Sequence, residues 1–501
     1  MSRISAHELV NTVLDAGTWT PWDFDVLQPT TVAADYADAL AAARLKTGLP
    51  ECLLVGEGRV GGTRVAVIAQ EFDFLGGSLG VAATELLVSA VERATREGLP
   101  LLASPTSGGT RMQEGTVAFV QMIKIAQAIN DHKAAGLPYL VYLRNPTTGG
   151  VLASFGSLGH VTVAEPGALI GFLGPRVYEV LTGDPFPAGV QHAENLFAHG
   201  IVDAVLAPAQ LAPLLARALD VLLAGRAQPV PPQGAHPLAG QEPADVSAWE
   251  AIVRTRRPER PGVRALLREG AAEFVPLHGT GAGELDREVV IALARFGDAR
   301  CIVIGQDRRN REVQPLGPGG LRTARRAMDI AAELGLPVVT VIDTAGAALS
   351  QQAEEAALAG EIARSLSRLV ALPVPTLSLI LGMGTGGGAL ALLPADRVFA
   401  AQHGWLSPLP PEGASAILHR TPDRAPEMAE QQGVRAAELL RNGIIDAIVP
   451  EYPDASDEPT AFCNRVATLL EHELHGLAVA DPSVRRTQRH RRYREIGKVL
   501  S

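Results

Sequence analysis

The stretch that decides the fold is Gly136-Leu137-Pro138, the β-rich run Tyr139-Leu140-Val141-Tyr142-Leu143, and Thr148-Gly149-Gly150. An apolar run of strand length that ends in paired glycines before a helical pattern is one turn of a parallel α/β sheet. The same phrase returns as Pro373-Val374-Pro375, a second β-rich run and Thr385-Gly386-Gly387-Gly388. Working outward, Gly98-Leu99-Pro100, a strand and Ser107-Gly108-Gly109 are answered by Gly335-Leu336-Pro337, a strand and Asp343-Thr344-Ala345-Gly346. Each half closes on one phrase, Gly200-Ile201-Val202-Asp203-Ala204-Val205 and Gly443-Ile444-Ile445-Asp446-Ala447-Ile448. The spacing of roughly 240 residues is far longer than any solenoid repeat, so the chain is a duplicated α/β domain.

Composition agrees with two globular domains. The chain has 501 residues, 47% of them hydrophobic, enough for two cores. A net charge of −10 argues against bulk attraction to nucleic acid or to an anionic membrane surface. Cys52, Cys301 and Cys463 are far apart, which excludes a disulfide framework and a zinc ribbon and fits a reducing cytoplasm. Residues 1–8 lack the apolar core of a secretory signal. The long apolar stretch Leu369 to Leu393 holds Pro373, Pro375 and several glycines, and reads as a buried parallel strand entering a buried helix, not a membrane span.

The pattern predicts helices over Ser5 to Leu27, Tyr36 to Lys46, Ala82 to Glu97 and Val117 to Ala135. It predicts strands over Cys52 to Gly56, Thr63 to Gln70 and Leu99 to Ser104. Residues 1–226 form the first domain, the Pro-rich residues 227–245 a linker, and residues 246–501 the second domain. Six arginines between Arg485 and Arg494 read as a solvated face or an oligomer contact.

Three glycine constellations could carry chemistry. Gly76-Gly77-Ser78-Leu79-Gly80 matches the G-x-S-x-G elbow of serine hydrolases, with His132, His160, His192 and His199 as triad candidates, although that reading leaves the duplication unexplained. Gly382-Met383-Gly384-Thr385-Gly386-Gly387 matches G-x-G-x-x-G, yet the acidic residue that a dinucleotide site needs some twenty positions on is missing. The third constellation pairs Gly149-Gly150 with Gly387-Gly388, each at a strand-to-helix junction. Amides at a helix N-terminus donate to anions, and glycine lets a reacting oxygen approach without a Cβ in its way. Two such nests suit a reaction that develops two oxyanions on two substrates, with no nucleophilic side chain.

At these residues the sequence resembles the carboxyltransferase component of acetyl-CoA carboxylase, with β and α subunits fused in that order. The first half carries Ser107-Gly108-Gly109-Thr110-Arg111-Met112-Gln113-Glu114-Gly115, Asn145-Pro146-Thr147-Thr148-Gly149-Gly150-Val151, and the run from Ala164 to Gly174-Pro175-Arg176. The second half carries Asp343-Thr344-Ala345-Gly346-Ala347, Gly386-Gly387-Gly388-Ala389-Leu390-Ala391 and Pro411 to Leu418. The resemblance implies tandem crotonase-like (ClpP/crotonase) α/β domains and carboxyl transfer from carboxybiotin, borne on a separate carrier protein, to acetyl-CoA.

It further implies a thioester enolate held at Gly149 and Gly150 and the biotin ureido oxygen held at Gly387 and Gly388. Substrate-binding positions would be Ser107, Gly108, Gly109, Arg111, Gly174, Pro175, Arg176, Arg322, Gly346 and Ala389. The implied partners are biotin carboxyl carrier protein, biotin carboxylase and further copies of this chain, at least a dimer, whose N-terminal halves face C-terminal halves of other protomers. No metal, nucleic acid or membrane is expected.

The chain departs from the family in lacking a four-cysteine ribbon and in reading Ala345, Ala348-Leu349-Ser350 and Met383 where the family has other residues. Two rival readings are a biotin-independent malonyl-thioester decarboxylase of the same fold and a non-catalytic paralogue.

Overall fold

The computed structural model describes residues 3–26, 33–109, 111–308 and 315–497. These divide into two compact units, the first of residues 1–223 with 281–283, the second of 224–280 with 284–501.

The first unit is built on the strands β1 (Thr20–Pro21), β2 (Leu53–Val60), β3 (Thr63–Gln70), β4 (Leu101–Ser104), β5 (Tyr139–Leu143), β6 (Thr147–Thr148), β7 (Val161–Ala164), β8 (Ile170–Gly171) and β9 (Ala204–Val205). Seven of them make one sheet in the order β1-β2-β3-β4-β5-β7-β9, while β6 and β8 pair separately. β2 and β3 form an antiparallel hairpin, and every later step of the sheet is parallel. β4 and β5 are buried at every position, as strands covered on both faces must be. The helix Val81–Arg96 buries nine residues and packs against β2, β3 and the helix Gly115–Ala134, because its apolar positions recur at helical period.

The second unit repeats this plan with β10 (Glu273–Leu277), β11 (Val289–Phe296), β12 (Ala299–Gln306), β13 (Val338–Thr344), β14 (Thr376–Thr385), β15 (Arg397–Ala401), β16 (Trp405–Ser407) and β17 (Ala447–Val449). Its sheet order is β10-β11-β12-β13-β14-β15-β17, with β16 added beside β14.

The repeated phrases have identifiable jobs. Proline cannot donate to a ladder, so Gly-Leu-Pro ends a helix and offers a carbonyl where the next strand begins. The Leu101 amide donates to Pro138 O (2.9 Å) and the Val338 amide to Pro375 O (2.8 Å). The closing aspartates bracket a strand. Asp203 accepts the Thr162 amide on its side chain (2.9 Å) and donates its own amide to Thr162 O (2.7 Å). Asp446 treats Val398 in the same way, at 2.7 Å for both bonds.

The structure corrects two readings. The first helix spans only Ala6–Val13, capped by Ser5 and Glu8; the chain then turns, and Asp15 accepts the Gly61 and Gly62 amides. Leu27 lies outside the described residues. The arginine-rich helix Pro482–Glu495 is no mere solvated face. Arg489 is 1% exposed, pairs with Asp396 (2.8 Å) and donates to the carbonyls of Leu372 and Val374, which follow the helix Leu358–Val370. Residues 227–245 are counted in the second unit, where His236 Nε2 lies 2.8 Å from Glu473 Oε1 and Arg435 donates to Asp245 (2.8 Å). Among the described residues no helix is long and apolar enough to cross a membrane.

Candidate active site

In the first unit the site is assembled from the turn after β4 and the turn after β6. Ser107 is buried, and its hydroxyl is used locally. It accepts the Gly109 amide (2.9 Å) and donates to Gly109 O (3.1 Å), which closes the turn. Gly109 stands at φ +127°. Gly108 is exposed and donates its amide to Gly76 O (2.9 Å). A Cβ on Gly77 would overlap the Thr106 carbonyl, so the Gly76-Gly77 pair serves close packing of two turns.

Gly149 follows β6 at φ +67°, and a Cβ there would meet the Gly109 α-carbon at 3.2 Å. Its amide is already bonded to Phe172 O (2.9 Å) and Gly171 O (3.2 Å). This corrects the expectation of two open donors here. Gly150 begins the next helical turn, is half-buried, and its amide has no acceptor among the described residues. Such first-turn amides lack a carbonyl one turn earlier and are free for an anion.

The second unit reproduces these turns at one constant offset. Thr344 stands for Ser107: it accepts the Gly346 amide (3.2 Å) and contacts Gly346 O (3.3 Å). Gly346 has φ +122° and Gly386 has φ +65°. Ser107 bridges Thr147, and Thr344 pairs with Gly384. The partner of Gly149 is therefore Gly386, and the partner of Gly150 is Gly387, one residue earlier than the paired glycines suggested. Gly387 is half-buried at the start of the helix Gly386–Leu390. Gly388 is buried, its carbonyl accepts Gln306 Nε2 (2.8 Å), and a Cβ there would press on Leu316. Gly386 was missed because a run of three glycines hides the register; the offset between the halves would have found it.

Several expected ligand contacts are bonded within the protein or buried. Arg111 is buried and bidentate to Glu51 (2.6 and 2.8 Å), with a further bond to Ser78 O (2.7 Å). Its guanidinium is engaged by these groups and ties the turn to the segment around Glu51. Arg322 lies on the helix Pro318–Leu334 and is tied to Glu284 (2.5 Å), Glu361 (3.3 Å) and Ala356 O (3.2 Å). Ala389 is fully buried. Gly174 caps the helix Pro175–Thr182 and stands in open space; the side chains of Pro175 and Arg176 lie outside the described residues.

The rival motifs have structural explanations. Ser78 donates to Leu75 O (2.8 Å) and receives Arg111 Nε (3.4 Å), so no histidine activates it. His132 contacts Thr95, His160 accepts the Tyr139 amide, and His199 lies against Asn195 O. Burial pushes His132 down to about 4. Gly382 and Gly384 lie inside β14, where Cβ atoms would strike Asp343 and Trp405 O, so the G-x-G-x-x-G glycines serve packing within a strand. Among the described residues one group has metal-ligand spacing, His403 with Glu451 and Asp454. Arg260 donates to both carboxylates, at 2.6 and 3.4 Å, and its guanidinium supplies the positive charge there.

The second unit also holds a carboxyl that the sequence reading passed over. Glu288 is 3% exposed at the start of β11 and accepts the Thr344 hydroxyl (2.7 Å). Burial pushes it up to about 7, helped by Asp286, Asp343 and Asp307.

Known proteins share this sequence plan and this fold. The carboxyl transferase domain matches residues 24–487. A probable biotin-dependent acyl-coenzyme A carboxylase beta3 subunit of Mycobacterium bovis is 58% identical over 501 residues, covering 99% of each chain. An acetyl-coenzyme A carboxylase carboxyl transferase, subunits beta/alpha, of a Parafrankia species is 38% identical over 536 residues, covering 99% of this chain and 86% of that one. Among solved structures, transcarboxylase 12S, described as a hexamer with methylmalonyl-coenzyme A bound, superposes with a TM-score of 0.75 at 20% identity, over 94% of this chain and 89% of that one. The repeated sheets, the paired glycine turns and these likenesses together make the chain a member of the carboxyl transferase family, with crotonase-like folds in both units.

Proposed function

We propose that this chain is the carboxyltransferase of a biotin-dependent acyl-CoA carboxylase, acting in the cytoplasm and moving a carboxyl group from carboxybiotin on a carrier protein to the α-carbon of an acyl-CoA. The observation that carries the reading is the matched pair of turns. Each half offers a half-buried helix-start glycine, Gly150 and Gly387, beside a glycine of positive φ. Two anion-ready positions suit a reaction with an oxyanion on each of two substrates.

The thioester enolate would sit at the Gly150 amide and the ureido oxygen at the first-turn amides of Gly387 and Gly388. Each such donor contributes about 10²- to 10³-fold in rate. Carboxybiotin supplies the carboxyl group, and its ureido nitrogen can take the α-proton, so the site needs no side-chain base. Free, buried Cys52, Cys301 and Cys463 suit a reducing compartment.

Acetyl-CoA, giving malonyl-CoA, is the first substrate to try; the Mycobacterium relative is named only for acyl-CoA. Biotin carboxyl carrier protein and biotin carboxylase are the proposed partners, and sites shared between copies of the chain the proposed assembly, at least a dimer. The test is carboxylation of acetyl-, propionyl- and longer acyl-CoA by this chain with a carboxylated carrier, comparing kcat/KM. A preference of at least tenfold for acetyl-CoA supports the finer reading; a preference for a longer chain keeps the transferase and replaces the substrate. Mixing Gly150→Val chains with Gly387→Val chains under conditions of subunit exchange tests shared sites. Regained activity supports them, and full activity of a monomer contradicts them.

A further inference from the structure

The two halves match at the turns but differ at one buried position behind them. In the first unit the Glu71 amide donates to Cys52 O (2.8 Å); in the second the Asp307 amide donates to Glu288 O (2.7 Å). Glu288 therefore occupies the place of Cys52, whose thiol only contacts Ser78 O (3.4 Å). At this position the second turn has a carboxyl and the first a thiol; the first unit's buried carboxyl, Glu51, is the residue before Cys52 and is paired with Arg111.

We propose, resting on the reading of the second unit as the biotin side, that Glu288 is a positioning residue: by accepting the Thr344 hydroxyl it fixes the 344–347 turn against which the Gly386–Leu390 helix begins. The geometry is a relay. The Gly346 amide donates to Thr344 Oγ1 (3.2 Å), and Thr344 Oγ1 donates to Glu288 Oε1 (2.7 Å). A Cβ on Gly388 would lie 3.6 Å from the Ala347 amide nitrogen, and one on Gly346 would lie 3.6 Å from Thr385 Cγ2, so the turn and the helix start are in contact. With Glu288 ionised, the hydroxyl proton points to the carboxylate and its lone pair to the Gly346 amide. With Glu288 protonated, the hydroxyl is free to donate to Gly346 O (3.3 Å) instead, as Ser107 does to Gly109 O, and the turn closes on itself but is no longer tied to Glu288.

Besides the Thr344 hydroxyl, the charged groups that raise Glu288 are acidic. Asp286, from the segment before β11, accepts the Glu288, Gly317 and Gly320 amides. Asp307, after β12, is paired with Arg264. Asp343, on β13, is paired with Arg308 (3.2 Å) and accepts the Met383 amide. Among the described residues no cation pairs with Glu288 itself. Burial, helped by these acids, pushes Glu288 up to about 7.

The test is hydrogen exchange at the Gly346 amide, corrected for its intrinsic rate, between about pH 5 and pH 9. The unaltered chain should gain about five- to tenfold protection as pH rises through 7. Glu288→Gln and the isosteric Thr344→Val should each abolish that rise. In the same variants KM for free biotin should increase while KM for acyl-CoA stays unchanged, a split that general unfolding would not give. A flat exchange profile in the unaltered chain, or an unchanged rise in either variant, overturns the proposal. If exchange behaves as expected but the unaltered chain shows no biotin-dependent transfer, the proposed reaction fails and the positioning of the turn by Glu288 stands.

Discussion

Gly109 and Gly149 meet backbone to backbone: a Cβ on Gly149 would stand 3.2 Å from the Gly109 α-carbon, and Gly149 holds φ +67°. The two turns that form the first site are thus locked by the absence of side chains. Gly149→Ala should cost about 2 kcal/mol, partly from the left-handed backbone and partly from the contact. Denaturant unfolding checks this, and a stability loss under about 0.5 kcal/mol would show that the turns are not locked this way.

Gly150 differs from its neighbour because its amide has no acceptor among the described residues. Gly150→Val should lower turnover at least about 100-fold with circular dichroism unchanged, because a branched side chain covers the donor. A folded variant with near-normal turnover would remove the enolate from this turn.

Arg111 and Glu51 are both buried and bidentate. Removing one partner strands the other, so Arg111→Ala should destabilise the chain by about 3–5 kcal/mol. If the variant keeps its melting temperature and loses only affinity for acyl-CoA, Arg111 is a ligand contact after all.

Much of this was legible in the chain, and the failures are instructive. The sequence pattern read Thr63 to Gln70 and the helices near 82–97 and 117–135 closely, because the strand is a continuous apolar run buried on both faces and the helices repeat their apolar positions at helical period. Repetition located both turns. What it could not give is direction. A motif places Arg111 beside a site without saying that its guanidinium points away from it, toward Glu51. Composition made the Arg485 to Arg494 helix look solvated, whereas Arg489 is held by carbonyls more than a hundred positions earlier. Glu288 carried no motif at all; only the internal comparison with Cys52 makes it visible.

Glu288 also makes stability depend on pH. Its ordinary value is 4.5 and folding raises it to about 7, so the folded state holds the proton more tightly than the unfolded. The stability this contributes is complete below about pH 4.5 and is lost as pH rises through 7. Glu288→Gln should therefore gain on the unaltered chain between pH 5 and pH 8, by on the order of 3 kcal/mol. Melting curves at the two pH values check this; an equal difference at both would mean that Glu288 does not titrate in this range.

The central claim is that two oxyanion positions serve one transfer between biotin and an acyl-CoA. Its most direct test runs the reaction backward, incubating the purified chain with malonyl-CoA and free biotin and following acetyl-CoA and carboxybiotin. The account predicts that acetyl-CoA forms only when biotin is present and in step with carboxybiotin, and that Gly150→Val and Gly387→Val each abolish it. Acetyl-CoA and CO2 released at the same rate without biotin, or no reaction with malonyl-, methylmalonyl- or longer carboxyacyl-CoA, would contradict it.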